Sequence, residues 1–550
     1  MIMEQLNDKT LGGLFESIVG SRGNHSFIVF EDKEYTYNEA NIIIDRIAKG
    51  FLAMGFKRGE HVALWMGNSP LWVFIEQAAY KIGVVLVVLN THCTYKEIIY
   101  MLQQSDSVGI VFEKNVFRHA FLPILDEITQ KNYASPSNDE SQRNLPLLRT
   151  IIGLGEDLPN SIVAFDEMLQ AGEQVSHSEM KKVQDDIVED DIALMIYTSG
   201  TTGLPKGALI QHKSIFVRSK VFVEWFKLSK NDVGFYGQPL YHIFGCVAAV
   251  EATIFSGGTL CLQQRFDASE GLLVIEKYRC SMIYCVPTVL DELIHHTDFY
   301  KYDFSSMRVG VVSGAPVAPA LVKEAKATFV PELAIGYGCT ECCAMVVATR
   351  LDDSPEAISG KVGIVTPYNE LRIVGVDSGL PLTTGQDGEI CVRSEYNMTG
   401  YYELEGATLE TIDKAGFLHT GDVGRLDENG YLSLTGRKKE MIIVGGVNVY
   451  PKEIENALCE YESIAQAQVV GVPDKRLGEV PFAFLILEEG ISTIDPENLF
   501  QFCRSTLSSF KVPKYAHTME SFPMTPSGKT RKRDLKEIVE EILDKSLRLY

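Results

Sequence analysis

The chain has 550 residues, 45% of them hydrophobic and 23% charged, with a formal net charge of −22. That length exceeds one ordinary core and calls for two or more domains, and the balance is that of a soluble globular protein. The acidic excess excludes a general nucleic-acid or anionic-membrane surface, so an anionic substrate has to be captured by a local positive site.

Residues 1–10 carry Glu4 and Asp8 and lack an apolar h-region, so no signal peptide is expected. Thr36-Tyr37-Asn38-Glu39 is a capping-box pattern that predicts a helix running towards Ala53, and Thr94-Tyr95-Lys96-Glu97 repeats it before residues 98–102. Between them, residues 61–65 and 83–89 read as strands. The second run is the most apolar in the chain and far short of the roughly 20 residues of a spanning helix. This alternation over residues 26–190 implies an α/β fold with a mainly parallel, helix-covered sheet. Residues 131–148 are polar and turn-rich and read as a surface insertion. Residues 185–191 read as a solvated acidic linker.

The apolar run 192–196 then leads into Tyr197-Thr198-Ser199-Gly200-Thr201-Thr202-Gly203-Leu204-Pro205-Lys206-Gly207. Glycines let a backbone close on a ligand and turn its N–H groups inward, hydroxyls add donors, and Lys206 adds charge, which suits a polyphosphate. The spacing is not that of a Walker loop, because Lys206 is followed by Gly207. A surface turn of small residues is the plainer alternative.

Downstream, His242 lies in Gln238-Pro239-Leu240-Tyr241-His242-Ile243-Phe244-Gly245. Among aromatics it reads first as a core histidine. Residues 311–316 and 333–341 each read as a strand entering a small-residue loop. In parallel α/β sheets such loops converge on one crevice. There Tyr337 offers a flat face, Thr340 a hydroxyl and Glu341 a hard oxygen for Mg²⁺. Cys339-Thr340-Glu341-Cys342-Cys343 lacks the second Cys or His pair of a zinc site. The 11 scattered cysteines, an odd number, fit reduced thiols in a cytoplasm.

Residues 389–393 and 416–427 suggest short strands and tight turns, a smaller β-rich part in which Asp422 could accept from ribose hydroxyls. Gly436-Arg437-Lys438-Lys439-Glu440 is a charged turn and a plausible domain junction. A small α/β unit follows: strands at 441–444, 468–472 and 482–486, a helix start at Pro451, and helical periodicity over 500–507. The basic stretch Pro526-Ser527-Gly528-Lys529-Thr530-Arg531-Lys532-Arg533 precedes a last helix.

Taken in order and spacing, the Thr198 loop, Tyr337-Gly338-Cys339-Thr340-Glu341, Thr420-Gly421-Asp422, Gly436-Arg437-Lys438-Lys439 and Pro526-Ser527-Gly528-Lys529 resemble the adenylate-forming superfamily of acyl-CoA synthetases, luciferases and adenylation domains. The likeness covers nearly the whole chain. Tyr241-His242-Ile243-Phe244-Gly245-Cys246 and Gly471-Val472-Pro473-Asp474 look most like bacterial medium-chain fatty acyl-CoA synthetases.

The resemblance implies a large N-terminal domain, residues 1–438, built of parallel sheets plus the β-rich subdomain. It implies a small mobile α+β domain, residues 439–550, hinged at Lys439. Thr198, Ser199, Gly200, Thr201, Thr202 and Lys206 would hold the ATP β- and γ-phosphates. Gly314, Ala315, Pro316 and Tyr337 would frame adenine, Gly336 and Gly338 would join the nucleotide site, and Asp422 and Arg437 would bind ribose. Thr340 would contact the α-phosphate, Glu341 the Mg²⁺, and Lys529 the reacting oxygens. His242 would gate or wall the site. The acyl pocket would use His242, Phe244, Cys246, Ser313, Gly338, Cys339 and Cys342, and coenzyme A would pass Val444, Gly445 and Gly446.

Small residues without fixed charge favour an apolar, medium-sized monocarboxylate, linear or cyclic. The implied activity is an AMP-forming acid–thiol ligase using ATP, Mg²⁺ and CoA. Three alternatives stay open: an aromatic acid, a carrier-protein thiol as acceptor, and reverse operation making ATP from acyl-CoA, AMP and pyrophosphate. Oxygenation of luciferase type and a regulatory nucleotide-binding protein are further from the pattern. No nucleic acid or membrane span is expected, and a homodimer is one admissible assembly.

Overall fold

The computed structural model describes residues 10–116, 119–120, 145, 147–198, 204–358, 360–524 and 530–544. The chain divides into two compact units, residues 1–370 with 392–418, and residues 371–391 with 419–550.

The first unit is built on two large sheets. In one, six strands run parallel in the spatial order Glu332–Cys339, Val309–Val312, Met282–Cys285, Val233–Tyr236, Thr259–Leu262, Ser26–Phe30. Antiparallel strands finish both edges: Lys33–Thr36 at one, Ala344–Ala348 and Ile364–Val365 at the other. In the second sheet Ile192–Thr198, Val85–Val88, His61–Trp65, Gly109–Glu113, Thr150–Leu154 and Val163–Ala164 run parallel. Beyond Ile192–Thr198 the edge continues antiparallel through Lys206–Gln211 and Gly400–Tyr401.

Local sequence explains the helices. Thr36 and Glu39 cap Tyr37–Ala53 reciprocally, Thr36 N donating to Glu39 Oε2 at 2.8 Å and Glu39 N to Thr36 Oγ1 at 3.2 Å. Thr94 and Glu97 do the same for Tyr95–Gln104. Pro70–Ile82 is buried on every side, as its nearly continuous apolar sequence demands, yet it carries Glu76, Gln77 and Lys81 inside. Among the described residues no helix is long and apolar enough to cross a membrane.

The second unit holds a four-stranded sheet in the order Glu370–Val374, Gly388–Arg393, Phe417–Leu426, Leu432–Arg437. It also holds a sheet in the order Val447–Val449, Ile442–Val444, Gly478–Leu487, Ile464–Asp474, with Tyr515–Thr518 parallel to Gly478–Leu487. Alternation along Gly478–Leu487 sends Ala483 and Leu485 into a core with Ile454 and Leu499. Phe482 and Phe484 enter another with Leu535 and Val539 of the last helix. The fold class is therefore mixed α/β, with parallel helix-covered sheets, a smaller β-rich part and a C-terminal α+β part.

Two local readings change. Gly336–Cys339 is strand, not loop, because Glu332–Cys339 pairs antiparallel with Ala344–Ala348 across a bulge at Tyr337/Gly338. Phe417–Leu426 is one ten-residue strand in place of several short ones; a bulge between Val423 and Gly424 absorbs the glycines. Asp191 in the acidic linker is engaged, accepting from Arg58 Nε at 2.7 Å and from Val188 N at 3.0 Å. Apart from Leu145, Leu147 and Leu148, the expected insertion at 131–148 lies outside the described residues.

Candidate active site

The strands Ile192–Thr198 and Lys206–Gln211 form a hairpin whose register sets Thr198 opposite Lys206. Ser199, Gly200, Thr201 and Thr202 lie outside the described residues. A Cβ on Gly207 would meet the Met195 sulfur at 2.8 Å, so a larger residue there would require the Met195 side chain to move. Lys206 is 9% exposed, and its ammonium lies 5.1 Å from the ring centroid of Tyr401.

The half-buried Thr340 and Glu341 sit in the tight turn joining Glu332–Cys339 to Ala344–Ala348. Cys343 (φ 54°) and Ala344 (φ 77°) both occupy the left-handed region, so the turn is held in a conformation these residues do not prefer. Three features hold it. A Cβ on Gly338 would lie 1.8 Å from Ala344 O, so only glycine allows the two strands to close. Met398 N donates to Glu341 O at 2.8 Å. Beneath the turn lies Arg218, 3% exposed, from the helix His212–Trp225. Its Nε donates to Cys342 O at 3.1 Å, Nη1 to Asn369 Oδ1 at 2.7 Å and Nη2 to Asn397 Oδ1 at 3.1 Å. Burial lowers its pKa, though not towards neutrality for a guanidinium.

The turn presents Glu341 to the hairpin. Glu341 Oε1 accepts from Thr198 Oγ1 at 3.0 Å and from Tyr401 OH at 2.8 Å. Burial, then the adjacent Glu341 carboxylate, pushes the Tyr401 phenol up, so it stays a donor. Three sequence-distant stretches thus contribute a hydroxyl, an ammonium and a carboxylate to one cluster. Among the described residues no group of three or more His, Cys, Asp or Glu side chains could hold a metal ion. A single carboxylate would not cage a metal alone, and it is a donor set that would suit Mg²⁺ carried by nucleotide phosphates.

Ser313 Oγ donates to Gly336 O at 2.9 Å, tying two strand tips together. Gly314 follows with φ +88°, then Ala315 and Pro316, while Tyr337 is 7% exposed on the neighbouring strand. His242 and Phe244 are half-buried. Phe244 opens a π-helix, Phe244–Glu251, a form that concentrates at functional sites. Inside it the fully buried Cys246 donates to His242 O at 3.3 Å, and burial with the nearby Glu76, Cys343 and Glu251 pushes its thiol up. Cys246 is therefore a neutral space-filler, not a nucleophile, and Cys342 is fully buried. Behind Cys246, the fully buried Gln77 Nε2 donates to Glu251 Oε1 at 2.5 Å and Tyr80 OH to Glu76 Oε1 at 3.0 Å.

In the second unit Asp422 pairs in register with Arg437, and Arg437 Nε meets Asp422 Oδ1 at 2.8 Å. Asp422 N donates to Thr420 Oγ1 at 3.1 Å. Lys438 Nζ reaches the buried Glu389 Oε2 at 3.0 Å, and Lys439 follows in a single 3₁₀ turn, Lys438–Glu440. Gly445 (φ 58°) and Gly446 (φ 85°) form the two-residue turn between Ile442–Val444 and Val447–Val449. Gly446 has open space where a Cβ would stand, so the turn itself, which needs both φ positive, accounts for the glycine pair. Lys529 lies outside the described residues. Just past it, Lys532 Nζ binds Glu455 Oε1 at 2.8 Å and Glu440 Oε2 at 2.7 Å.

Arg218, Tyr401, Glu76 and Glu251 are the site groups that sequence reasoning missed. Arg218 stands in an apolar helical run, and Tyr401 in a short Gly-Tyr-Tyr segment without a distinctive pattern.

Comparison with known proteins points to one family. A family profile described as AMP-binding enzyme matches residues 15–402, and one for the AMP-binding enzyme C-terminal domain matches residues 453–529. YngI of Bacillus subtilis (strain 168), whose name places it among the acyl-CoA synthetases, is 33% identical over 548 residues, spanning 99% of this chain and 100% of that protein. The human mitochondrial medium-chain acyl-CoA ligase ACSF2 is 32% identical over 552 residues, 98% of this chain and 89% of that one. The crystal structure of the anthranilate CoA ligase AuaEII with anthranoyl-AMP superposes with a TM-score of 0.85 at 24% identity, covering 98% of this chain and 99% of the other, a likeness of fold.

Proposed function

The chain belongs to the AMP-binding enzymes and is an AMP-forming acyl-CoA ligase, and from that premise we propose that it activates an apolar, medium-sized monocarboxylic acid, linear or cyclic. One observation carries the site assignment: Thr198, Lys206, Glu341 and Tyr401 converge although they come from distant parts of the chain.

In this reading Lys206 and the hairpin hydroxyls hold the ATP phosphates, and Gly314, Ala315, Pro316 and Tyr337 flank adenine. Thr340 contacts the α-phosphate, and Asp422 with Arg437 takes the ribose. Mg²⁺, when bound at Glu341, supplies charge neutralisation to the phosphates. The substrate carboxylate attacks the α-phosphorus, forming the acyl-AMP bond and releasing pyrophosphate. Lys529 neutralises the anionic oxygens during that step. Residues 439–550 then turn about Lys439, and the Gly445-Gly446 turn comes to face coenzyme A. The CoA thiol gives up its proton to solvent, its sulfur attacks the acyl carbonyl, and AMP leaves.

The residues expected at the acyl pocket support the acid class. Phe244, Cys246 and Cys342 carry no fixed charge, and the buried guanidinium of Arg218 is committed to three acceptors. These three residues would give a second carboxylate or an amino group on the substrate no counter-charge. Reduced cysteines and the chemistry of CoA fit a cytoplasmic setting.

The test is CoA-dependent AMP release across linear, cyclic, aromatic, amino and dicarboxylic acids. Apolar monocarboxylates should lead, with neighbours one methylene apart differing by about 1–3 kcal/mol or less. Turnover confined to amino acids or dicarboxylates, or to a carrier-protein acceptor, would overturn the proposal.

A further inference from the structure

We infer that Tyr401 is a positioning residue for the adenylation step, setting Glu341 and Lys206 together through the two ends of one side chain. The inference rests on the reading above of Glu341 as the Mg²⁺ ligand and Lys206 as the phosphate lysine.

Tyr401 is fixed before any ligand arrives. Its strand, Gly400–Tyr401, pairs with Lys206–Gln211 in the register Ala208↔Tyr401 and Leu209↔Gly400. Tyr401 N donates to Thr408 Oγ1 at 2.9 Å, and Tyr402 N donates to Gly207 O at 2.9 Å. Gln104 Nε2 holds Tyr402 O at 2.6 Å. The residue is 8% exposed. Backbone bonds on both sides fix the strand, and burial together with the hydroxyl's bond to Glu341 holds the ring.

That orientation does two things. The hydroxyl donates to Glu341 Oε1, and Thr198 donates to the same oxygen. Among the described residues these two hydroxyls are the only groups that donate to the Glu341 carboxylate. With Oε1 held twice, the carboxylate turns only by breaking both bonds, and Oε2 is the oxygen left to a cation. A carboxylate free to rotate would lose entropy on binding Mg²⁺; this one has lost it already. The ring, meanwhile, lies under the Lys206 ammonium at 5.1 Å. An aromatic face attracts an ammonium without neutralising it, so Lys206 keeps its full charge for phosphate. A carboxylate in that place would anchor the lysine equally well and cancel its charge.

The test is carboxylate-dependent ATP–pyrophosphate exchange by the full-length protein, with Mg²⁺ titrated at fixed ATP. Loss of one hydrogen bond to a charged carboxylate should raise the half-saturating Mg²⁺ of Tyr401→Phe ~10-fold, while the rate at saturating Mg²⁺ stays within about 3-fold of wild type. Tyr401→Leu removes the ring as well and should also raise the KM for ATP. A second readout needs no turnover: thermal stabilisation by ATP in the absence of acid. Tyr401→Phe should need ~10-fold more Mg²⁺ for the same shift, with the melting point of the free protein unchanged.

A rate loss equal at every Mg²⁺ concentration overturns the inference. So does a lower melting point of the free protein with an unchanged Mg²⁺ requirement, which would make the bond purely structural. Glu341→Gln separates this inference from the reading beneath it. If that variant keeps the wild-type Mg²⁺ dependence, Glu341 is not the ligand. If it shifts and Tyr401→Phe does not, only the role of Tyr401 falls.

Discussion

Glu251→Gln should make the protein more stable than wild type by a margin that is small near pH 4.3 and widens up to about pH 8. Glu251 and Glu76 are both fully buried, on the π-helix and on Pro70–Ile82. The groups facing them are Gln77, Tyr80, Tyr37 and Cys246, none of them a cation. Burial therefore pushes the Glu251 carboxyl from its ordinary 4.5 up to about 8. Burial, and then the charge that Glu251 acquires, pushes Glu76 well up too. In the unfolded chain both ionise near 4.3. A folded value above the unfolded one means that the native state holds the proton longer. The associated stability is complete below about pH 4.3 and is lost progressively as pH rises through 8. For Glu251 the full loss is on the order of 5 kcal/mol, at 1.36 kcal/mol per pH unit of separation. An amide has the shape of the neutral acid and does not titrate. Denaturant unfolding at pH 5, 6, 7, 8 and 9 should therefore show a falling profile for wild type and a flatter one for Glu251→Gln, the gap in its favour widening from pH 5 to pH 8. Parallel profiles over that range would refute the placement of a neutral carboxyl there.

Arg218→Lys should fail to rescue what Arg218→Ala destroys, because a single ammonium cannot reach Cys342 O, Asn369 and Asn397 together; loss of adenylation by ~10²-fold or more in both variants, read by pyrophosphate exchange, is expected. Gly338→Ala places a Cβ 1.8 Å from Ala344 O and should open the Glu341 turn, visible as lost ATP binding in calorimetry. Lys529→Ala should depress adenylation strongly and spare thioester formation from supplied acyl-AMP; equal loss in both half-reactions would contradict a lysine that serves only the first. Lys532→Met breaks the bridge to Glu455 and Glu440 and should weaken the adenylation half-reaction more than the thioester one, in the same pair of assays.

The residues that were legible in the sequence and those that were not differ in kind. Thr36/Glu39 and Thr94/Glu97 announced their helices because a capping box is made of neighbours, and the structure forms both. Lys206 and Glu341 stood out in the sequence because a lysine in a Gly-Ser-Thr run and a carboxylate after a glycine-rich strand have few ordinary uses, and the structure brings both to Tyr401. Gly336–Cys339 misled for the opposite reason: its glycines suggest loop, yet one of them, Gly338, is what lets two strands close. Arg218 and Tyr401 were invisible. Ile215, Phe216 and Val217 around the arginine say only that a helix is buried, and the charge among them then looks like an exposed residue at the wrong phase. Its acceptors lie 124, 151 and 179 residues away. No periodicity of 2 or 3.6 encodes such a distance. Groups that touch a ligand are chosen for their chemistry, which a one-dimensional pattern preserves. Groups that hold them in place are chosen for a reach that exists only after the sheet edges have paired. An error in the register Ala208↔Tyr401 by one residue would turn Tyr401 to the opposite face of the sheet and leave Glu341 with Thr198 alone. In the proposed site the activity therefore depends on a strand pairing as directly as on the lysine and the carboxylate themselves.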